Sequence, residues 1–140
     1  MSRKRHKARE YAVQGLYQWQ VTGQDIGEII NQFLAERDLD QFDVPYFQDL
    51  VRGVPTHLDE LDDKLAPLLD RPLEQVDLVE RAVLRLGAYE LEHHLDVPFR
   101  VVVNEAVELA KTYGAEKGHR FVNGVLDKLS RTLRSYEQKT

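Results

Sequence analysis

The stretch Asp77–Leu95, DLVERAVLRLGAYELEHHL, carries two apolar stripes at helical spacing. Val79, Ala82, Val83 and Leu86 form one, and Leu84, Ala88, Leu91 and Leu95 form the other, so that little of the middle is left polar beyond Arg81, Arg85 and Glu92. A helix that is apolar on two sides has to be covered from two directions. The segment therefore reads as a central helix joining two small bundles. Asp77 and Glu80 form a capping box at its start, and Asp96, Val97 and Pro98 break the chain behind it.

Towards the N-terminus, Pro67 and Pro72 bracket a connection. Before it, Phe47, Val51, Val54, Leu58, Leu61, Leu65 and Leu68 keep one register past Gly53 and Pro55, which predicts a single kinked helix capped by Asp43 with Pro45 in its first turn. Asp25 and Glu28 open an earlier helix bearing Ile26, Ile29, Ile30, Phe33 and Leu34, after a stop at Gly23. The first helix carries Ala8, Ala12, Val13, Leu16, Trp19 and Val21 on one face.

Towards the C-terminus, Val102, Ala106, Leu109, Ala110 and Tyr113 predict a helix ended by Gly114. The triplet Val101, Val102, Val103 alone favours a strand, but helical spacing continues for three turns and there is no second strand to pair with. Val122, Val125, Leu126, Leu129 and Leu133 mark the last helix. Gly124 within it either admits a close neighbour or is a tolerated flaw, and the tail from Ser135 is expected to fray. The fold class is all-α with about seven helices: one all-helical domain over residues 1–140, with approximate subdomains 1–70 and 71–140.

Charge is laid out unevenly along this frame. The chain has a net charge of −5, yet five of the seven residues from Arg3 to Arg9 are Lys or Arg; residues 1–24 sum to +4, 25–96 to −12 and 97–140 to +3. A short basic terminus is often only a solubilising tail. Here it sits on the first turns of a helix, where cations oppose the partial positive charge of the free amides, so folding alone does not favour them. An anion bound there would relieve that repulsion, which points to a polyanionic partner. If the two basic ends fold side by side they make one basic face, with the acidic middle repelling nucleic acid elsewhere.

A second constellation, Lys111, Tyr113, Gly114, Lys117, Gly118, His119, Arg120 and Phe121, gathers cations, rings and glycines around a helix-to-helix junction. Cations track phosphates and a ring can stack on a base, a mixture suited to single-stranded RNA. Tyr113 and Phe121 taken singly are more readily core residues closing the junction.

Catalytic signals are weak. Two Glu-x-x-His spacings, Glu90 to His93 and Glu116 to His119, resemble half of a di-iron bundle site, but one lies near a helix end and the other contains Gly118. They read as solvated polar residues, so no metal or other cofactor is expected. There is no Cys, no Gly-x-Ser-x-Gly and no Gly-rich phosphate loop, and Ser2, Ser130 and Ser135 have no evident His and Asp partners. An enzyme is not expected. No apolar run approaches the ~18 residues of a membrane span, and Glu10, Gln14, Gln18 and Gln20 follow the basic start where a signal peptide would be apolar. The expectation is a cytoplasmic protein away from membranes.

Four blocks, RHKAREYAVQGLY from Arg5, DLVERAVLRLGAYEL from Asp77, VVVNEAVELAKTYG from Val101 and RFVNGVLDKL from Arg120, closely resemble the bacterial transcription antitermination factor NusB family. The resemblance covers nearly the whole chain. It implies two three-helix subdomains, no catalysis, and binding of boxA-type single-stranded RNA together with NusE, a small-subunit ribosomal protein, to modify elongating RNA polymerase. Carried onto this chain, the RNA side is Arg3, Lys4, Arg5, His6, Lys7 and Arg9 with Lys117, His119, Arg120 and Phe121. The partner side is Tyr17, Val21, Glu80, Arg81 and Leu84.

Two departures stand out: a mixed Arg, Lys and His start where an arginine run is commoner, and Lys117 where an acidic or polar residue is expected. The first weakens the case for bidentate phosphate contacts. The second should strengthen RNA attraction. The same domain also occurs fused to RNA cytosine methyltransferases; the expectation here is the stand-alone factor. A rival reading is a helical adaptor that docks a basic partner without an RNA site of its own, and an exposed apolar stripe meant for NusE could also pair two copies of the chain.

Overall fold

The computed structural model describes residues 2–138, and its regular structure is helical throughout. The chain divides into two compact units, residues 1–56 and 57–140. The boundary coincides with an interruption of the helix expected to run continuously past Pro55.

The first unit holds α1 (Arg3–Thr22), α2 (Ile26–Glu36), a 3-10 turn (Leu39–Gln41) and α3 (Val44–Thr56). Each start has a local cause. The Ser2 hydroxyl accepts from the Arg5 amide, Asp25 from Glu28, and Asp43 from Tyr46, satisfying amides that a helix start leaves free. Gly23, in the left-handed region at φ 68°, ends α1 by donating to the Trp19 carbonyl. Ala8, Ala12 and Leu16 of α1 are buried with Ile29, Ile30 and Phe33 of α2 and Phe47, Leu50 and Val51 of α3. At one edge Phe42 meets Tyr11 and Phe47 edge-on, at 5.0 and 5.6 Å between ring centroids.

Pro55 lies in the last turn of α3, where its missing N–H and ring disrupt the helical ladder. The backbone leaves helical geometry at His57 (φ −108°, ψ 23°), and a new helix, α4 (Leu58–Leu65), starts there with Leu61 donating to the His57 carbonyl. The single kinked helix predicted from the unbroken apolar register is thus two helices. Periodicity records which face is apolar, and that face survives a break.

The second unit continues through 3-10 turns at Ala66–Leu68 and Leu73–Gln75 to α5 (Leu78–His93), α6 (Phe99–Tyr113), α7 (Gly118–Leu133) and a closing turn, Ser135–Gln138. Asp77 caps α5 by accepting from Val79 and Glu80. Every residue from Ala82 to Leu91 is buried, because α4, α6 and α7 all pack on α5. The two-sided stripe is explained within this unit. Gly87 is where α7 comes close: a Cβ there would lie 2.6 Å from Leu126 Cδ1. Gly124, by contrast, faces open space, so it is the tolerated flaw and not a point of close approach.

Val102 and Val103 lie on the buried face of α6, as helical spacing requires. The tail is held where fraying was expected. Arg134 is fully buried and donates to the carbonyls of Leu91, Val97 and His94 at 2.8–2.9 Å, and to Glu137, whose carboxylate also accepts from the Phe99 amide. Lys139 and Thr140 lie outside the described residues. Among the described residues no helix is long and apolar enough to cross a membrane.

Candidate nucleic-acid interface

The start of α1 has cations in its first turns and no acid among them. Arg3 and Lys4 are exposed, while Arg5, His6 and Lys7 are half-buried. Together with Glu10, Asp40 and Gln41, four of these residues (Arg3, Lys4, His6 and Lys7) line an open cavity of about 660 Å³. Their neighbours hold some of them in place. Arg5 lies 3.5 Å from the Asp43 carboxylate with its guanidinium 4.3 Å from the Tyr46 ring centroid, and Lys7 sits 3.7 Å from Glu10. His6 Nε2 approaches the same Glu10 oxygen at 3.4 Å.

Arg9 departs from its predicted role. Only 1% of it is exposed, with its guanidinium 5.3 Å from the Tyr46 ring, so it is part of the interior of the first unit and not a surface phosphate ligand. The reason was in the spacing: Arg9 stands three and four residues before Ala12 and Val13, on the stripe that faces the core.

The second constellation is built around a buried acid. Glu80, on the first turn of α5 and 5% exposed, accepts from the Ala115 amide at 3.1 Å. A Cβ on Gly118 would collide with its carboxylate, and one on Gly114 would lie 3.2 Å from it. The two glycines thus make the seat into which Glu80 fits. Burial pushes the Glu80 carboxyl above the usual carboxylate range, with the Ala115 N–H pulling the other way.

Over this seat the chain turns through Lys117, which stands at φ 68° in the left-handed region and precedes α7 without a side-chain cap. Lys111, Lys117 and Arg120 are exposed, and His119 is half-buried. Phe121 is half-buried, with the Arg71 guanidinium 4.5 Å from its ring centroid. Tyr113 is 36% exposed. Arg71 and Glu80 are thus two junction residues missing from the predicted RNA side. Arg71 lies in the proline-bracketed connection, where no periodicity exposes a direction. The paired glycines around the junction were the available signal for Glu80.

The predicted partner residues separate into two groups. Tyr17 and Val21 are 41% and 53% exposed on α1. Leu84 is wholly buried, Glu80 is engaged in the junction, and Arg81 donates to the carbonyls of Glu74 and Val76 at 2.8 and 2.9 Å. Leu84 has no exposed surface to offer, so its placement as a partner contact is corrected, while Glu80 and Arg81 are engaged within the second unit. The Glu-x-x-His pairs also separate: Glu90 is buried in α5, and Glu116 is exposed before α7.

Comparison with known proteins covers the same ground. The NusB family model matches residues 6–131. The transcription antitermination protein NusB of Shewanella amazonensis is 56% identical over 125 residues, covering 89% of this chain and 93% of its own. That of Nitrosococcus oceani is 54% identical over 137 residues, covering 98% and 92%. Among solved structures, one of antitermination factors NusB and NusE in complex with double-stranded RNA superposes with a TM-score of 0.83 at 32% identity, covering 94% of this chain and 99% of the other.

Proposed function

The chain belongs to the NusB family, and from that premise we propose that it is a transcription antitermination factor that binds boxA-type single-stranded RNA jointly with NusE and so modifies the elongating RNA polymerase. It acts in the cytoplasm and catalyses no reaction. The observation that carries the RNA reading is the exposure of Arg3, Lys4, Lys117 and Arg120 on a chain whose middle segment is strongly acidic.

In this reading the two basic stretches share one RNA ligand. Arg3 and Lys4 neutralise phosphates directly, with Lys7 and His6 at the cavity wall. Lys117, Arg120 and His119 provide the second contact, and Tyr113 offers a ring face for a base. Phe121 stacks on a base only on the side Arg71 does not cover. NusE docks on the exposed face of α1 that includes Tyr17 and Val21, leaving the acidic middle to discourage nonspecific RNA.

The test is a salt titration of binding to a single-stranded boxA RNA, with and without NusE. If five to seven phosphates are neutralised, log affinity falls against log salt with a slope of roughly −3.5 to −5. NusE should raise the affinity, and a duplex of the same sequence should compete poorly. A flat salt response overturns the RNA reading. No RNA binding in either setting leaves a protein adaptor.

A further inference from the structure

We propose that His57, Glu60 and His93 form a binding site for a divalent transition-metal ion of the zinc class. The site shares no residue with the proposed RNA surface and does not rest on that reading. His57 is the residue before α4, Glu60 lies in the first turn of α4, and His93 lies in the last turn of α5. Nothing in sequence spacing joins them; the packing of α4 on α5 does.

One donor atom from each of the three lies within 4.8 Å of the others. Glu60 Oε1 and His93 Nε2 are 3.6 Å apart, and the two imidazole rings are 4.3 Å apart between centroids. Donors around a tetrahedral ion with bonds near 2.0–2.1 Å stand roughly 3.4 Å from each other. The Glu60–His93 pair is already at that spacing, so closing the triad on an ion takes only small side-chain rotations.

The donor set selects the class of ion. Two neutral imidazoles and a carboxylate suit zinc, cobalt, nickel or copper, and disfavour magnesium and calcium, which prefer oxygen alone. Three protein ligands leave a fourth position for water. His57 and Glu60 are partly exposed and His93 is exposed, so an ion can enter from solvent.

The surroundings hold the donors in place. The Tyr89 ring stacks on His93 at 4.8 Å and lies 5.8 Å from His57, restricting both imidazoles. Lys64 donates to Glu60 at 3.0 Å and also to Glu92. That hydrogen bond fixes the same Glu60 oxygen, Oε1, that faces His93. The ammonium also repels an incoming cation. Its pairing with Glu92 offsets part of that repulsion, and the site is accordingly expected to bind in the micromolar range and not more tightly.

The experiment uses the tag-free full chain, stripped with a chelator and titrated with Zn²⁺ by calorimetry and with Co²⁺ by visible absorption. One ion per chain is expected, with d–d bands of a low-coordinate site and no displacement by excess Mg²⁺. His57→Ala, His93→Ala and Glu60→Gln should each weaken binding by about tenfold or more with an unchanged far-ultraviolet spectrum. Should a variant fold poorly, X-ray absorption on the zinc-loaded natural chain decides, since two imidazole nitrogens and one carboxylate oxygen are required. The proposal is overturned by the absence of saturable binding up to millimolar Zn²⁺, by binding that the two histidine variants leave unchanged, or by a ligand shell without two imidazoles.

Discussion

The start of α1 and the α6–α7 junction are both basic, but they hold their charges by different means. At the start of α1 the cations lie on regular helix, and those nearest the body of the unit are tied to side chains: Arg5 to Asp43 and Tyr46, Lys7 to Glu10, Arg9 to the interior. At the junction the backbone does the holding. Glu80 seats Gly114 and Gly118 from below, Lys117 takes a left-handed conformation, and Arg120 follows in the first turn of α7. A basic residue on a helix face is thus divided between folding and binding according to its angle around the axis. One on a braced loop is displayed by the loop's shape.

That contrast makes graded predictions. The largest effect is expected from Arg3→Glu combined with Lys4→Glu, which should weaken binding to boxA RNA by about a hundredfold while unfolding free energy rises by about 0.5–2 kcal/mol, since acids complement the free amides at the helix start. Arg5→Glu should also weaken RNA binding, but it places a second carboxylate beside Asp43 and forfeits the Tyr46 contact, so urea unfolding should show a loss of about 1 kcal/mol. If Arg5→Glu left stability untouched, the division of labour along α1 would be wrong.

At the junction, Gly118→Ala should cost about 1–3 kcal/mol in urea unfolding, because the methyl group displaces the buried Glu80 carboxylate from the Ala115 amide. Lys117→Gly should act in opposite directions on two readouts. It relieves the left-handed strain, raising stability by about 0.5–1 kcal/mol, and removes a charge, weakening RNA binding a few-fold.

The smallest effect concerns pH. Burial raises the folded-state pKa of Glu80, so the native state holds that proton more tightly than the unfolded chain does. Its contribution to stability is complete below the unfolded carboxylate range and is lost as pH rises through the raised folded value. Natural protein should therefore gain stability relative to Glu80→Gln as pH falls from neutral towards the carboxylate range, with Gln keeping the Ala115 acceptor. Parallel unfolding curves for the two proteins over that interval would contradict the assignment.

Much of the fold was legible because its signals are local. Asp25, Asp43 and Asp77 cap where capping chemistry places them, Gly23 stops α1, and the double stripe of α5 correctly demanded neighbours on two sides. The break at His57 was not legible, since the apolar register of α3 and α4 agrees across it. Nor was the docked tail, which depends on Arg134 reaching carbonyls some forty residues away in sequence.

Within the site, the exposed cations were read from charge clustering alone. The burial of Arg9 and Leu84 followed from stripes already visible in the sequence, and the family resemblance placed both residues on binding surfaces nonetheless. Arg71 and the His57, Glu60, His93 group became visible only with the chain folded, because each depends on residues brought together from different segments.

The central claim is that both basic stretches grip the same RNA. Ultraviolet crosslinking of the chain to a single-stranded boxA RNA in the presence of NusE, read by mass spectrometry, tests it most directly. Crosslinked nucleotides on peptides from residues 3–7 and from residues 113–121, both lost when excess unlabelled boxA RNA competes, are the predicted result. Crosslinks confined to one stretch, with the other reactive only towards nonspecific RNA, would contradict it.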